Sequence, residues 1–367
     1  MPAFPAIDRD LLYERLVPPA TDAPVRLVID TDCANEIDDQ YALAWALFTP
    51  ERMTLEATVA EPFSFRHHLP ELKAAEAAML NGSRHQEHLV GGFQGWIERL
   101  HAQGRTIDDL DGDLVDPARG MELSYHEIRT IYEKCGFDPE GVTFRGADRY
   151  MTTPDDVVWS DGAEAIVDLA KSGKGAPLYI AAMGCVTNIA AALRCAPEIV
   201  RDIVVIWTSA YPSHAPHSVR PSLNLIQDVH AARILFDCGV PLIYLPGYHV
   251  GAQLKISRPE MEAFVKGRGA IGDYLWHLYT HNPLHKMFAL DDTGRRSWVI
   301  WDMIDIAWLI DPALVPTFQT SSPIINEALY WDKDDTRHPI LEAHDVQRDE
   351  IFLHFYDKLA ANASGLM

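Results

Sequence analysis

A cluster of acidic residues follows the first apolar segment of the chain. Its members are Asp30, Asp32, Glu36, Asp38 and Asp39. So many negative charges repel one another strongly unless a cation lies among them. Carboxylate oxygens are hard ligands, which suit Ca²⁺ or Mg²⁺ better than zinc. The residue types and their spacing therefore indicate a divalent-cation site.

Helix capping is an alternative interpretation of the same acids. Acidic side chains are common in the first turn of a helix, where they complement the helix dipole. That accounts for one or two of the carboxylates. It does not account for Asp30 and Asp32, which alternate at the end of an apolar strand, because unpaired carboxylates are costly to bury. We favour the metal site over capping alone.

The elements that must position these acids are a strand and a helix. Residues 27–29 are apolar and lead directly into the acidic turn. The segment behind the turn has an apolar face at helical spacing, formed by Ile37, Tyr41, Ala44, Trp45 and Phe48.

The same alternation of strand and helix continues along the chain. The sequence predicts strands at residues 26–30, 55–60, 142–146, 177–183, 202–209 and 241–247, and helices at 37–48, 161–172, 187–195 and 228–238. This pattern favours an α/β fold with a largely parallel central sheet covered by helices on both faces. Ligands of such sheets bind beyond the carboxyl ends of the strands. We expect the acidic turn and the loop at 208–224 to meet there.

Residues 64–123 interrupt this alternation. We predict a single domain over residues 1–367, with these residues as an insertion. The insertion is acidic near its end, which is typical of a solvated surface. Long insertions are often functional, so Phe93 or Trp96 could belong to a lid over the site.

Composition excludes some classes of partner. The chain has 367 residues, 48% of them hydrophobic, and a formal charge of −22. That charge argues against binding to a nucleic-acid polymer or to an anionic membrane. The sequence shows no 18-residue apolar run and no secretory signal. The five cysteines form no Cys-x-x-Cys pair, so we expect reduced thiols and a cytoplasmic location.

The acidic turn resembles the N-terminal signature of the nucleoside hydrolases, which is Asp-x-Asp, a short turn and Asp-Asp at the start of a helix. Here the pairs are Asp30/Asp32 and Asp38/Asp39. The turn between them is two residues longer than the commonest form and lacks its Pro-Gly. The chain is therefore identified as a divergent member of this family, related to the inosine/uridine-preferring enzymes.

Three later segments resemble the same family in the same order. Residues 177–193 contain a strand, a Gly-x-x-Thr-Asn turn and a helix, and residues 222–248 resemble the stretch that grips the sugar. Trp301 and Asp302 stand where relatives have a His-Asp or Trp-Asp pair. Together with the acidic turn, the resemblance covers about residues 25–63 and 124–312.

The resemblance implies a Ca²⁺-dependent hydrolase of nucleosides that releases base and ribose, with purine nucleosides slightly favoured and a homodimer or homotetramer as the assembly. It implies that Asp32, Asp39, Asp302 and the backbone carbonyl of Met183 bind the metal. Asp32 would also be the general base. Asp38, with Asn224, would hold ribose hydroxyls, and Asp38 is the second candidate for proton acceptor.

Several residues depart from the family pattern. Ser222 stands where relatives have a glutamate that binds the 5′ end of the sugar, and Glu61 could replace that contact. Trp301 replaces a histidine that protonates the base in many relatives. It could stack on the base, or it could be an ordinary core aromatic.

Several residues are candidates for the group that protonates the leaving base. His214 and His217 follow a predicted strand and are candidates, with Tyr248 and His249 behind them.

Part of this pattern also occurs in proteins with other functions. Phosphatases of the haloacid dehalogenase type also place Asp-x-Asp after their first strand, but Ala34 stands where they have Thr or Val, and Asp38 and Asp39 would be unexplained. A hydrolase of a modified ribosyl substrate, or a non-catalytic calcium- or sugar-binding protein, is the alternative on the same fold.

Overall fold

The structure, a computed structural model, describes residues 4–83, 88–173, 175–215, 222–291 and 293–365. The helices of these residues are α1 (Arg9–Leu16), α2 (Asp39–Leu47), α3 (Leu69–Leu80), α4 (His88–Ala102), α5 (Pro117–Cys135), α6 (Asp161–Ser172), α7 (Thr187–Cys195), α8 (Leu223–Gln227), α9 (Val229–Asp237), α10 (Arg258–Glu260), α11 (Gly269–Thr280), α12 (Pro283–Met287), α13 (Met303–Ile310) and α14 (Arg348–Ala363). The strands are β1 (Val25–Thr31), β2 (Met53–Ala60), β3 (Thr143–Arg145), β4 (Leu178–Ala182), β5 (Ile203–Ser209), β6 (Leu242–Pro246), β7 (Lys255–Ile256), β8 (Trp298–Val299), β9 (Thr317–Ser321), β10 (Ile324–Ile325), β11 (Trp331–Asp332) and β12 (Pro339–Ala343).

The central sheet has the strand order β3-β2-β1-β4-β5-β6-β12-β9. Neighbouring strands are parallel throughout, except that β9 runs antiparallel to β12 at the edge. The predicted α/β fold with a largely parallel sheet is therefore confirmed. The strand order reverses between β1 and β4, and such a switch point is where α/β sheets form ligand crevices.

Helices cover both faces of this sheet. Along β1, Leu27 and Ile29 face one apolar core, whereas Val28 faces the other, as the alternation of a strand requires. Because both faces are buried, the central strands are continuously apolar rather than alternating. All seven residues of β5 are buried, for example.

Helices α3 and α4 pack together around a third, smaller core. Trp96 is buried there and donates from its indole nitrogen to the carbonyl of Met287 at 2.7 Å. Phe93 packs against Trp96, at 6.2 Å between ring centroids. Trp96 is thus a core residue of this region rather than part of a lid. That residues 64–123 are an insertion remains a prediction.

Two further expectations concern membranes and cysteines. Among the helices of the described ranges, none combines the length and the apolar character that a bilayer crossing requires. The cysteines Cys33, Cys135, Cys185, Cys195 and Cys238 are all free thiols.

Candidate active site

The carboxyl ends of the central strands lie level with one another. Pairing sets Asp30 of β1 beside Ala182 of β4, and the amide of Met183 donates to the carbonyl of Asp30 at 2.8 Å. Ala182 in turn pairs with Trp207 of β5. Asp32, which follows β1, therefore lies at the same rim of the sheet as Met183. This register brings together segments that are about 150 residues apart in the sequence.

A pocket opens at this rim of the sheet, where α/β folds of this kind bind their ligands. Eight of the predicted site residues line it: Asp32, Asp38, Asp39, Met183, Ser222, Asn224, Trp301 and Asp302. Glu61 does not. The structure thus gathers in one cavity most of the residues that the sequence singled out.

Three buried carboxylates converge in the pocket and are called the carboxylate cluster below. They are Asp38, Asp39 and Asp302, and one ligand oxygen of each lies within 4.8 Å of the others. Asp38 and Asp302 occupy the N-cap positions of α2 and α13, but neither side chain makes a capping hydrogen bond. The capping interpretation is therefore wrong for Asp38. Asp39 accepts a hydrogen bond from the Thr31 hydroxyl.

Burial and mutual repulsion disfavour the ionised forms of this cluster. Burial, and then the charge of Asp38, raise the pKa of Asp39 to about 8. Burial also raises the pKa values of Asp38 and Asp302 well above the ordinary range, and the charge of Asp38 adds to the effect on Asp302. No Lys, Arg or His is found among the described residues that line the pocket. The cluster must therefore hold protons or a cation.

A divalent cation fits this cluster. The side-chain donors are all hard oxygens, and Oδ1 of Asp38 is buried without a hydrogen-bond partner. Ca²⁺ and Mg²⁺ are the ions that prefer such donors. This donor set by itself does not discriminate between the two ions.

Asp32 lies beside the carboxylate cluster rather than within it. Its Oδ2 accepts from the Asn35 side chain at 2.9 Å. Burial, followed by the charge of Asp39, raises the pKa of Asp32, and the hydrogen bond from Asn35 opposes that effect. Of the predicted metal ligands, Asp39 and Asp302 belong to the carboxylate cluster, and Asp32 and Met183 line the same pocket beside it.

Gln227 is a buried polar residue near Asp32 that the sequence did not single out. Its Oε1 accepts from the Ser64 amide at 2.8 Å and from the Tyr150 hydroxyl at 2.5 Å. Because a backbone N–H can only donate, this position must hold the side-chain oxygen, and the NH₂ group of Gln227 is buried without a hydrogen-bond partner. Residues 64, 150 and 227 are far apart in the chain, so no local pattern could have revealed this contact.

Asn224 is tied to two strand ends. Its side-chain nitrogen donates to the carbonyl of Met183 at 2.7 Å and to that of Thr208 at 3.0 Å. Both hydrogens of the amide are thereby used, which leaves the side-chain oxygen of Asn224 as an acceptor. The Met183 carbonyl has a second lone pair and so can accept from Asn224 while also facing a metal.

Ser222 and Glu61 differ in their access to the pocket. The Ser222 hydroxyl accepts from the amide of Ala210 at 2.7 Å and lies 2.8 Å from the Ser209 hydroxyl, so it holds the end of β5 in place. Glu61 is fully buried. A Cβ added at Gly184 would lie 2.3 Å from Oε2 of Glu61, so this glycine lets the Glu61 carboxylate pack beneath the rim. Glu61 therefore lies behind the pocket wall.

Aromatic side chains form another part of the wall. Trp301 is half-buried and lines the pocket, so it is not an ordinary core aromatic. Tyr248 also lines the pocket, with its ring centroid 5.5 Å from that of Trp301 and the two planes at 74°.

The candidates for protonating the leaving base are not equally placed. His214 does not line the pocket, and its Nδ1 lies 3.8 Å from Oε1 of Glu342. His217 lies outside the described residues. Of the four candidates, Tyr248 is the one that the structure places on the wall.

The fold and the site together define a doubly wound α/β protein with an acidic ligand pocket at its switch point. The family model of the inosine-uridine preferring nucleoside hydrolases matches residues 100–349, and the chain belongs to that family. The resemblance seen in the sequence is thereby confirmed. The matched residues do not include the acidic turn at residues 30–39. The fold nevertheless places the carboxylates of that turn in one pocket with Asp302, which lies within the match.

Similar proteins are distant in sequence. An uncharacterised protein of Schizosaccharomyces pombe is 28% identical over 154 residues, which are 40% of this chain and 47% of that protein. The match thus spans about half the length of this relative. Among solved structures, a purine-preferring ribonucleoside hydrolase from Gardnerella vaginalis gives a TM-score of 0.64 at 18% identity, over 92% of this chain and 99% of that one. An inosine-uridine preferring nucleoside hydrolase from Bacillus anthracis gives 0.57 at 14% identity, with the same coverage. These two structures support the fold.

Proposed function

We propose that the protein hydrolyses the N-glycosidic bond of ribonucleosides to give free base and ribose, with Ca²⁺ as its metal and purine nucleosides favoured. The observation that carries this proposal is the convergence of Asp38, Asp39 and Asp302 in a pocket that also holds Asp32 and Asn224. Membership in the nucleoside hydrolase family supports the same reaction class. The phosphatase alternative finds no support in this family.

The bond to be broken joins the sugar to the base, and its cleavage leaves positive charge on the sugar. Cleavage of an N-riboside passes through an oxocarbenium-like state, so the sugar develops positive charge while water attacks. Negative side chains that are fixed in position before the reaction stabilise such charge at little reorganisation cost. The buried carboxylates of Asp32 and of the carboxylate cluster are placed to do this.

Asp32 is the proposed proton acceptor for the attacking water. Asp32 lines the pocket beside the carboxylate cluster, and the hydrogen bond from Asn35 orients its side chain. A bound Ca²⁺ would orient the water and the ribose hydroxyls by electrostatic attraction. Asp32 then takes the proton from that water as the bond to carbon forms.

The sugar is held by acceptors on the pocket wall. Asp38 lines the pocket, and its carboxylate can accept a hydrogen bond from a ribose hydroxyl. The side-chain oxygen of Asn224 is left as a second acceptor, because its nitrogen is bound to the Met183 and Thr208 carbonyls. Ser222 shapes the wall at the predicted 5′ end of the sugar, with its hydroxyl already engaged by Ala210.

The experiment is a nucleoside panel with Ca²⁺. Inosine, adenosine, guanosine, uridine and cytidine are incubated with the purified protein, and free ribose is measured. Release that stops with chelator and returns with Ca²⁺ supports the proposal, and the relative rates give the base preference. Absence of ribose release from every nucleoside, with Ca²⁺ bound, contradicts it. The predicted homodimer or homotetramer is a separate proposal that light scattering would test.

A further inference from the structure

A second cavity lies beside the active-site pocket and is called the side pocket below. The side chains of its wall are largely apolar and include Phe63, Phe65, Leu114, Leu123, Leu284 and Met287. All of these except Leu123 are buried. The charged side chains of the wall, Asp113 and Lys286, pair with each other at 3.0 Å. The side pocket therefore suits a hydrophobic group.

Asn35 lines both the side pocket and the active-site pocket. Its side-chain nitrogen donates to Oδ2 of Asp32 at 2.9 Å, and its backbone amide donates to the carbonyl of Asp32 at 2.8 Å. The side pocket lies on the β2 side of Asn35, because Phe63 and Phe65 follow that strand. The two cavities are therefore neighbours along the rim of the sheet, next to the proposed proton acceptor.

The side pocket is built where this chain departs from the family pattern. Ala34 and Asn35 belong to the acidic turn, which is longer than the commonest form of the family. Phe65, Leu114 and Leu123 belong to residues 64–123, the predicted insertion. Two departures that are distant in the sequence therefore meet at one cavity, which indicates a property of this chain rather than a general property of the fold.

Side chains of the predicted insertion hold the α12 wall of the side pocket in place. The backbone carbonyls of residues 286–289 each accept a hydrogen bond from one of these side chains. The donors are Arg105, Trp96, Arg99 and Gln103, at 2.7, 2.7, 3.0 and 3.3 Å in that order. An apolar cavity is costly in a close-packed interior. These four hydrogen bonds oppose the collapse of α12 into the cavity.

We propose that the side pocket holds an apolar substituent of the nucleoside, so that the preferred substrates are ribonucleosides modified with a hydrophobic group. This proposal rests on the proposed nucleoside hydrolase function. The ribose binds at the carboxylate cluster, and the substituent passes Asn35 to reach the side pocket. Its transfer from water to apolar side chains favours binding in proportion to the apolar area that is buried. The base or C5′ of the sugar can carry such a group.

Two adenosine derivatives with the same butyl chain distinguish these two positions. In 6-butylaminopurine riboside the chain is on the base, and in 5′-butylthio-5′-deoxyadenosine it is on the sugar. At least one of them should have a KM about tenfold to a hundredfold below that of adenosine, because its chain is buried. The compound that gains identifies the position of the substituent. If neither compound has a lower KM than adenosine, the proposal is wrong.

Substitutions at Leu123 test whether the chain binds in the side pocket. Leu123→Gln introduces a polar group at nearly the same size, whereas Leu123→Met keeps the wall apolar. Leu123 is half-buried, so both variants are expected to fold. The advantage of the butyl compound over adenosine should fall about fivefold or more in Leu123→Gln and persist in Leu123→Met. An equal advantage in both variants would overturn the assignment, since the chain would then bind elsewhere.

Calorimetric titration with the same compounds separates this proposal from the proposed function. If the protein cleaves no nucleoside, yet binds one butyl compound more tightly than adenosine and loses that difference in Leu123→Gln, the hydrolase function is wrong and the side pocket stands. If adenosine is cleaved and neither butyl compound binds more tightly than adenosine, the hydrolase function stands and the side pocket is wrong.

Discussion

Replacement of Asp302 by asparagine tests the carboxylate cluster directly. Asp302→Asn keeps the size of the side chain and removes one negative charge from three that lie within 4.8 Å of one another. Two consequences are expected from the same change. The metal-free protein becomes more stable, because repulsion is relieved, and stabilisation by Ca²⁺ is lost, because a ligand is missing.

The size of each effect follows from the geometry. Two full charges at the largest separation in the cluster, 4.8 Å, repel by about 3.5 kcal/mol at an effective dielectric constant of 20. The raised pKa values leave part of the cluster protonated near pH 7, which reduces this repulsion. Ca²⁺ at 100 times its Kd stabilises a folded protein by about 2.7 kcal/mol. For a chain of 367 residues, that corresponds to a rise in Tm of about 3 to 4 °C.

The stabilisation by Ca²⁺ should also depend on pH. The pKa of Asp39 is raised to about 8 in the folded protein, above the value of about 3.9 for an unfolded chain. The folded metal-free protein therefore binds more protons than the unfolded chain, and its stability falls as pH rises from about 4 to about 8. Because Ca²⁺ must displace those protons, the rise in Tm that it causes should grow between pH 6 and pH 8.

Thermal unfolding with Ca²⁺ or with chelator measures all of these effects. Glu342→Gln is a suitable control, since Glu342 is a buried carboxylate that binds the Ser213 amide and lies outside the carboxylate cluster. That variant should keep the full response to Ca²⁺. A full response in Asp302→Asn would refute the assignment of the metal to this cluster, and an unmodified protein whose Tm ignores Ca²⁺ at every pH would refute the metal itself.

Three further substitutions give distinct expected results. Asp32→Asn should lower kcat by about 100-fold or more, because the proton acceptor is lost, and normal ribose release would show that another group takes the proton. Trp301→Ala should reduce kcat/KM for inosine more than for uridine, since a purine loses more stacking area, whereas an equal loss would make Trp301 merely structural. Trp96→Ala should lower the free energy of unfolding by about 3 to 5 kcal/mol in urea titrations, because Trp96 is buried against Met287. It should leave KM for inosine unaltered, and a large change in KM would restore the lid interpretation.

The central sheet was predictable because its strands are locally distinctive. All six predicted strands and all four predicted helices are present, with their ends within two residues of the prediction. Continuous apolar runs such as residues 203–207 are typical of strands buried on both faces. The edge of the sheet was missed. Strand β9 is half-buried or exposed, and β12 begins with Pro339, so neither carries that signal.

The sequence by itself determined the family, the fold class and the acids that surround the pocket, because each of these depends on residues close together in the chain. Tertiary structure decided which of those acids converge. Oxygens of Asp38, Asp39 and Asp302 lie within 4.8 Å of one another, and Asp32 accepts from Asn35 beside them. Tertiary structure also placed Glu61 behind the wall and tied Gln227 to residues 64 and 150. Contacts of this kind depend on strand register and on packing between distant segments, and no local pattern of residues encodes them.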